Sequence, residues 1–325
     1  NLLKSLAKKV MDFLEPFTKK VSVIFKPLVS FLSNTKSIRT KLIMAFMVSI
    51  VLIIIQGIIS YSTTSKTATN LAGQSSITAM ESSGKYLDLV LKTVNNVSGQ
   101  IFSDPDIQSY LTKEFSSDNY IEAMSLYGRV SSRLTSIATF SPDIENIIII
   151  PCNDNIGAKT TVKPTNVKFG ELKDTDMVVK LTKSTTSSGW FGFHEDFDSL
   201  NKSTADIYSI SLVRLMRGVT SMDVLGLLII DIKTDVITNL SDSIKLSDNQ
   251  QIYLISPDKR VFTNGIDTGK SNTIIDEKFY TDVVAGKEDI GSKNISYNGK
   301  KYLMTYYRVS STGYILLGLI PESDL

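Results

Sequence analysis

Cysteine and histidine are nearly absent from this sequence, which holds one of each, Cys152 and His194, among 325 residues. A single cysteine excludes an internal disulfide and a cysteine zinc cluster, and a single histidine excludes a histidine pair for a metal ion or a proton relay. The sequence also lacks the nucleophile elbow that a serine hydrolase needs. We therefore expect no enzymatic activity, no cofactor and no metal site.

A composition typical of disordered chains is also missing. Hydrophobic residues make up 42% of the sequence, aromatic residues 9% and charged residues 21%. This balance excludes intrinsic disorder and collagen-like repeats for most of the chain. The length suggests two folding units, or one unit with long extensions.

Acidic residues are scarce near the N-terminus. Residues 1–41 hold two of them against nine Lys or Arg, a charge of +7, while the rest of the chain carries −5 and the whole carries +2. The next twenty residues, 42–61 (LIMAFMVSIVLIIIQGIISY), hold no charge. At about 1.5 Å per residue, this run matches a hydrocarbon core about 30 Å thick. It predicts a transmembrane helix at 37–62, with a buried soluble helix or a cleaved signal peptide as the alternatives.

Basic residues flank this run on one side only. Lys36, Arg39 and Lys41 come directly before it, and the first basic residue after it is Lys66. The positive-inside rule then predicts a cytoplasmic N-terminus in the cell membrane, with residues 63–325 outside.

The basic arm at 1–36 has apolar residues at helical spacing and lysines on the remaining surface. Pro16 and Pro27 should kink this helix. The pattern is typical of an amphipathic helix on the anionic inner leaflet, or of one packed on another protein segment. We expect no nucleic-acid binding, because the basic residues have no aromatic stacking platform. The apolar positions are Leu3, Leu6, Val10, Phe13, Phe17, Val21, Ile24, Leu28 and Phe31.

The outer part begins with another helical pattern, which predicts a long helix over 63–104. Asp104-Pro105-Asp106 ends it, and shorter helices are expected near 107–113 and 120–140. The apolar positions of the long helix are Met80, Leu87, Leu91, Val94, Val97 and Ile101.

Strand patterns dominate from there on, so we expect an α+β fold. A first set of strands precedes a short helix starting at Thr234, and a second set follows it with a helix near 279–285. Asn298-Gly299 between two alternating runs predicts a β-hairpin. The expected strands are 146–150, 189–193, 207–215, 224–232, 251–256, 261–263, 294–297, 301–309 and 314–320.

Several segments resemble one family of bacterial sensors. KSIRTKLIMAF at the apolar run, KYLDLVLKTVNNVSGQIFSD in the long helix and YSISLVRLMRGVTSMDVLGLLIIDIKTDV in the first strand set resemble an extracellular double Cache domain. QIYLISPDKRVFTNG and YLMTYYRVSSTGYILLGLIPESDL resemble its membrane-proximal half. The resemblance covers residues 36–325, and its N-terminal part is most similar to methyl-accepting chemotaxis receptors.

The resemblance implies two PAS-like antiparallel-sheet units, a membrane-distal one at 105–235 and a membrane-proximal one at 236–325. It also implies a second transmembrane helix, a HAMP linker and a cytoplasmic signalling domain after Leu325, so we expect the sequence to be trimmed.

The resemblance places a small ligand in the membrane-distal unit, near SGWFGFHEDFDSL. Trp190 and Phe191 would supply an apolar or cation-π surface, and Asp231 would contact an amino group. Arg214 suits a carboxylate or phosphate, and Tyr208, six residues away on the same strand, should face the same side and add a hydroxyl.

Each of these residues also has a structural interpretation. Trp190 and Phe193 can fill the core. Asp231 can cap the helix that starts near Thr234, and Arg214 can pair internally with Asp231 or Asp223.

The sequence departs from the amino-acid-binding pattern of the family. Ser188 stands where those members have an arginine two residues before the Trp, and Phe191 stands where they have a tyrosine. The ligand class therefore stays open among amino acids, amines and organic acids.

The remaining polar residues of this region have plainer expectations. His194 should be a surface histidine, with a titration near neutrality that makes sensing pH-dependent as the alternative. Glu195, Asp196 and Asp198 should form a solvated acidic turn without the spacing of a calcium loop. Cys152 should be a buried or unreactive thiol.

A transmembrane receptor explains these features together, and we expect a homodimer whose ligand shifts a pair of helices. The resemblance favours a chemotaxis output. The alternatives are the sensory part of a sensor histidine kinase and a membrane-anchored adhesive or structural module.

Overall fold

The computed structural model describes residues 38–113, 119–201, 208–269 and 272–325, with all their side chains except those of residues 40, 41, 44, 45 and 48. The chain divides into two compact units, Asn1–Ala68 and Thr69–Leu325. The predicted basic arm at 1–36 lies outside the described residues.

Helix α1 spans Ile38–Ser103, so every described residue of the first unit is helical. No proline falls between Ile38 and Ser103, so no proline interrupts the backbone hydrogen bonds of α1. The described apolar side chains of the first unit are exposed, including those of Ile43 and Ile58. Among the described residues, no helix is long and apolar enough to cross a membrane. The transmembrane span therefore stays a prediction.

Asp104 ends α1 and begins the next helix. Its Oδ1 accepts hydrogen bonds from the backbone N–H groups of Asp106 and Ile107, and Pro105 takes the first helical position. Helices α2 (Pro105–Thr112) and α3 (Tyr120–Phe140) follow, close to the expected bounds.

A five-stranded antiparallel sheet forms the first half of the second unit, with strand order β2-β1-β5-β4-β3. Three short helices cover one face of it. The elements are β1 (Ile144–Pro151), β2 (Lys159–Thr160), α4 (Phe169–Leu172), α5 (Asp176–Lys183), β3 (Ser188–Phe191), α6 (Glu195–Leu200), β4 (Tyr208–Arg217) and β5 (Val224–Lys233).

A six-stranded antiparallel sheet forms the second half, with strand order β8-β7-β6-β11-β10-β9. Asn298 and Gly299, both at positive φ, connect its last hairpin as expected. The elements are α7 (Thr234–Ile244), β6 (Gln251–Ile255), β7 (Val261–Thr263), β8 (Ile266–Asp267), a 3-10 helix (Thr273–Asp276), α8 (Lys278–Ala285), β9 (Ile290–Tyr297), β10 (Lys300–Val309), β11 (Tyr314–Pro321) and a final 3-10 helix (Glu322–Asp324).

One hydrophobic core joins α1 to both sheets. The buried face of α1, including Leu87, Leu91 and Val94, packs with Leu212 of the first sheet and Leu316 of the second. A second core lies under α4, α5 and α6, and a third lies under α8. The α+β class is confirmed, while the predicted domain boundaries stay a prediction.

Candidate functional site

The two faces of the first sheet carry different chemistry. Asn146, Asp231, Ser211 and Phe191 are direct neighbours on four successive strands, so they form one row across the sheet. This row lies on the face covered by α4, α5 and α6, since Phe191 belongs to that core.

Trp190 and Arg214 lie on the opposite face. Trp190 stands directly opposite Leu212 and packs on the core beneath α1. Arg214 stands opposite Ser188 and bonds to α1 side chains. The structure therefore separates Trp190 and Arg214 from Asp231, and the five predicted site residues do not form one pocket.

A β-bulge puts Tyr208 on the face of Asp231. Between Tyr208 and Ile210, β4 advances two residues while β5 advances one, from Lys233 to Ile232. The extra residue reverses the side-chain alternation. The prediction that Tyr208 shares a face with Arg214 was therefore wrong.

His194 is the centre of a buried polar cluster, not the surface histidine that was predicted. Its side chain is fully buried, with Nε2 2.9 Å from Asp231 Oδ1 and Nδ1 3.2 Å from Asp198 Oδ1. The Tyr208 hydroxyl lies 2.9 Å from Nδ1 and donates to Asp198 Oδ2 at 2.5 Å. Ser211 donates to Asp231 Oδ1 at 2.7 Å. We refer to these five side chains as the histidine cluster.

The histidine cluster holds His194 as a cation. Burial lowers the pKa of its imidazole, but the charges and hydrogen bonds of Asp231 and Asp198 outweigh burial and raise the pKa to about 9. A doubly protonated ring can donate from Nε2 to Asp231 and from Nδ1 towards Tyr208 and Asp198. Burial also raises the pKa of the Tyr208 hydroxyl, which stays a donor.

Two expectations for the acidic residues were also wrong. Residues 195–200 form helix α6 instead of a solvated turn, and Asp198 is buried on it. Asp231 does not cap α7, whose N-cap is Lys233 and has no side-chain cap bond. Among the described residues, no group of His, Cys, Asp or Glu side chains is arranged to hold a metal ion.

An open cleft of about 750 Å³ runs along the edge of the first sheet. Its lining comes from α1, α5, β3 and β4, and from two turns of the second half of the unit. The lining residues that matter below are Lys92, Asn95, Lys180, Trp190, Arg214 and Asp258.

Arg214 is a half-buried cation without an acidic partner among the described residues. Its Nε donates to Ser98 Oγ and its Nη2 to Asn95 Oδ1, both at 3.1 Å. Burial lowers the pKa of its guanidinium, with no neighbouring charge opposing that shift. The predicted internal pairing with Asp231 or Asp223 was therefore wrong.

The segment 190–195 links the cleft to the second half of the unit. Trp190 makes an edge contact with Tyr314, whose hydroxyl donates to the Phe191 carbonyl at 3.1 Å. The Gly192 N–H donates to Asp258 Oδ1 at 3.0 Å.

Arg260 completes this link. It pairs with Glu195, and its guanidinium carbon lies 4.4 Å from the centre of the Phe193 ring. Phe193 in turn stacks on Tyr208 at 4.7 Å, so it lies between the link and the histidine cluster.

Comparisons of sequence identify no relative. No protein-family model matches the chain, and no curated protein matches it.

Comparisons of structure find the same fold in extracellular domains of proteins described as candidate histidine kinases. The domain of rpHK1S-Z16 superposes with a TM-score of 0.58 at 13% identity, over 76% of this chain and 93% of that one. The domain of soHK1S-Z6 gives 0.52 at 14% identity, over 82% and 98%. The domain of vpHK1S-Z8 gives 0.50 at 12% identity, over 81% and 97%. The chain therefore shares the fold of these extracellular domains.

Proposed function

We propose that this chain is the extracellular sensory part of a membrane receptor and that it binds a small anionic ligand in the cleft beside β3. The observation that carries the proposal is Arg214, a half-buried guanidinium at the wall of an open cleft with only neutral partners among the described residues. A carboxylate or phosphate would give this cation the charged, two-point partner that the guanidinium geometry suits.

The surroundings of Arg214 support an anion. Lys180 also lines the cleft, as does Lys92, which pairs with Asp88, and Asp258 is the one acidic residue of the lining. Asp258 already accepts hydrogen bonds from Gly192 and Ser256. Trp190 adds an apolar wall on which the rest of a ligand can pack. An organic acid or the carboxylate of an amino acid is thus favoured over an amine among the predicted ligand classes.

Helix α1 and the link at 190–195 are the two routes by which binding would be transmitted. A ligand that takes over the Arg214 guanidinium competes with Asn95 and Ser98 of α1. Helix α1 also contacts the second half of the unit, through Ser76 to Thr305 at 3.0 Å and Asp88 to Ser311 at 2.6 Å. Ligand binding would then shift the population of α1 positions, in a homodimer as the sequence suggests.

The membrane anchor and the output are further parts of the proposal. The uncharged run 42–61, whose described apolar side chains are exposed, is the proposed anchor. Chemotaxis and histidine-kinase signalling are both compatible with this sensory domain. The fold likeness to candidate histidine kinases supports the second output, and the N-terminal sequence resemblance supports the first.

Trp190 provides the test, because it is the only tryptophan of the sequence and lies in the cleft. The chain, purified in detergent, is titrated with acetate, succinate, glutamate, inorganic phosphate, putrescine and glucose while tryptophan fluorescence and melting temperature are recorded. We expect at least one anion to change the fluorescence and raise the melting temperature, since it binds the native state.

Arg217 supplies the matched control for this titration. It lies on β4 like Arg214 but bonds to Ser187 and to the Met222 carbonyl, away from the cleft lining. Arg214→Met should abolish the response and Arg217→Met should preserve it. A folded protein that responds to no anion, or an Arg214→Met variant with an unchanged response, would contradict the proposal. A purely adhesive module would give the first of these results.

A further inference from the structure

Strand β3 leaves one backbone edge unpaired in the cleft. The strand is the last in its sheet, and the described residues place no strand beyond it. Leu215 donates its N–H to the Ser187 carbonyl at 2.8 Å, so this pair is hydrogen-bonded across the two strands. Hydrogen-bonded and non-hydrogen-bonded pairs alternate in an antiparallel ladder. The pairs Ser188 with Arg214 and Trp190 with Leu212 are therefore of the second kind.

The backbone groups of Ser188 and Trp190 consequently point away from β4, towards the free edge. The Ser188 carbonyl accepts a hydrogen bond from the Thr186 hydroxyl at 3.1 Å. The N–H and C=O of Trp190 and the N–H of Ser188 have no partner among the described residues. Unpaired edge groups of this kind are a template for a further strand.

The cleft has the shape that an added strand requires. Residues of α1 line it on one face of the sheet and residues of α5 line it on the other, so the edge of β3 forms its floor. The turn residues Pro257 and Thr312 lie in its lining as well. Its volume of about 750 Å³ is of the size that holds a ligand of a few residues.

The charges indicate which part of a peptide would lie here. Arg214 stands opposite Ser188, one strand in from the edge, and its guanidinium lines the cleft. A C-terminal carboxylate could bond to Arg214 while the preceding peptide groups pair with Trp190. Lys180 on one wall would repel a free N-terminal amine at the same end, while Lys92 on the other wall pairs with Asp88.

We propose that the ligand of this cleft is a short peptide that adds to the edge of β3 as an extra strand and is anchored by its C-terminal carboxylate on Arg214. Main-chain hydrogen bonds to Trp190 supply affinity, and the Trp190 ring packs against one side chain of the peptide. This inference rests on the proposed function and specifies the ligand class for the same site.

The experiment uses acetyl-tetraalanine as the probe, with the chain in detergent and Trp190 fluorescence as the readout. The comparison probes are its C-terminal amide, free alanine, acetate, and four versions that each carry one N-methylated peptide nitrogen. We expect acetyl-tetraalanine to bind at least tenfold more tightly than alanine or acetate. We expect the C-terminal amide to bind no more tightly than alanine or acetate.

N-methylation provides the signature of strand addition. Successive N–H groups of an extended peptide point to opposite sides, so only alternate ones face β3. Methylation at those positions should weaken binding at least tenfold, and methylation at the positions between them should change it less than twofold. A ligand lodged in the cleft in another way would not show this alternation.

The variants separate this inference from the proposed function. Arg214→Met and Arg214→Lys should lower the affinity for acetyl-tetraalanine to about that of its C-terminal amide. Arg217→Met should bind acetyl-tetraalanine as tightly as the wild type does. If alanine or acetate binds in an Arg214-dependent way and the peptide binds no better, or if N-methylation has no alternating effect, the inference is overturned and the proposed function stands. If no anion binds to the folded protein, inorganic phosphate included, both are overturned.

Discussion

His194 and Asp231 form a buried ion pair across 37 residues of sequence, with Nε2 2.9 Å from Oδ1 and both side chains at 0% exposure. The pair stands on one face of the first sheet, whereas Arg214 lies on the other face and lines a cleft at the edge of the sheet. The cluster and the cleft are therefore chemically separate sites in the same half of the unit, and they can be tested independently.

The His194 cation should make stability depend on alkaline pH. The pKa of His194 is raised to about 9 from an ordinary 6.5, so the stabilisation is fully present below about pH 6.5 and is lost as the pH rises through 9. At roughly 1.4 kcal/mol per pKa unit, protonated His194 stabilises the folded state by about 3 kcal/mol. We expect the difference in free energy of unfolding between the wild type and His194→Gln to shrink by about this amount between pH 6 and pH 10. Urea denaturation at these pH values measures it, and a difference that does not change with pH would contradict the protonated cluster.

Lys159 should have the opposite pH dependence. This residue is 4% exposed, its Nζ lies against the Tyr127 ring and has no hydrogen-bond partner among the described residues, and burial lowers its pKa to about 8. Because the unfolded chain binds this proton more tightly, stability rises with pH between about 8 and 10.4. Lys159→Met should be as stable as the wild type or more stable at pH 7, and its stability should not rise in that window. Lys163→Met is the exposed control, with an expected change within about 0.5 kcal/mol. A Lys159→Met variant that is less stable at pH 7 would show that the amine has a favourable partner.

Gly192 should not tolerate a side chain. A Cβ at this position would lie 2.6 Å from Arg260 Cβ and 2.8 Å from Ser256 Oγ, so the link between the two halves of the unit would have to move. We expect Gly192→Ala to lower the free energy of unfolding by about 1–3 kcal/mol. Gly157→Ala, where a Cβ meets nothing within 4 Å, should leave it within about 0.5 kcal/mol. Equal stability of the two variants in urea denaturation would exclude the close packing of the link.

Two glycines of α1 should respond in opposite directions to the same substitution. A Cβ on Gly84 would overlap the Tyr307 ring, with its nearest atoms well inside 3 Å, whereas a Cβ on Gly99 meets nothing within 4 Å. Gly84→Ala should therefore cost about 1–3 kcal/mol by displacing Tyr307. Gly99→Ala should stabilise by up to about 1 kcal/mol, because alanine is the better helix former. Thermal and urea unfolding of both variants test this, and a stabilised Gly84→Ala variant would mean that β10 does not pack this tightly on α1.

Local sequence signals predicted much of the fold. Helix α3 has the bounds that were expected, since Ser141-Pro142 closes a regular apolar pattern. The Asn298-Gly299 turn joins β9 to β10 because both residues accept positive φ. The short helices α4 and α5 were not predicted, since four or eight residues carry too little periodicity to stand out from a loop.

The site was harder to predict because its geometry depends on pairs distant in sequence. The sequence offered a ligand amino group, a helix cap or Arg214 as the partner of Asp231, and no local pattern identified His194 as its cation. The bulge at Ser209 changes which face Tyr208 occupies, and strand alternation alone assumes that no such residue is present. Arg214 was placed on its strand correctly, yet its neutral partners on α1 lie more than a hundred residues away.

The short link at 190–195 couples the two halves of the unit, and such coupling acts equally in both directions. If contacts of Arg260 and Asp258 favour one position of this segment, and the charged His194 favours the same position, then each set of contacts strengthens the other by the same factor. Weakening the contacts of Arg260 and Asp258 should therefore change the pKa of His194. The pKa of the His194 imidazole would then respond to structural changes in either half of the unit.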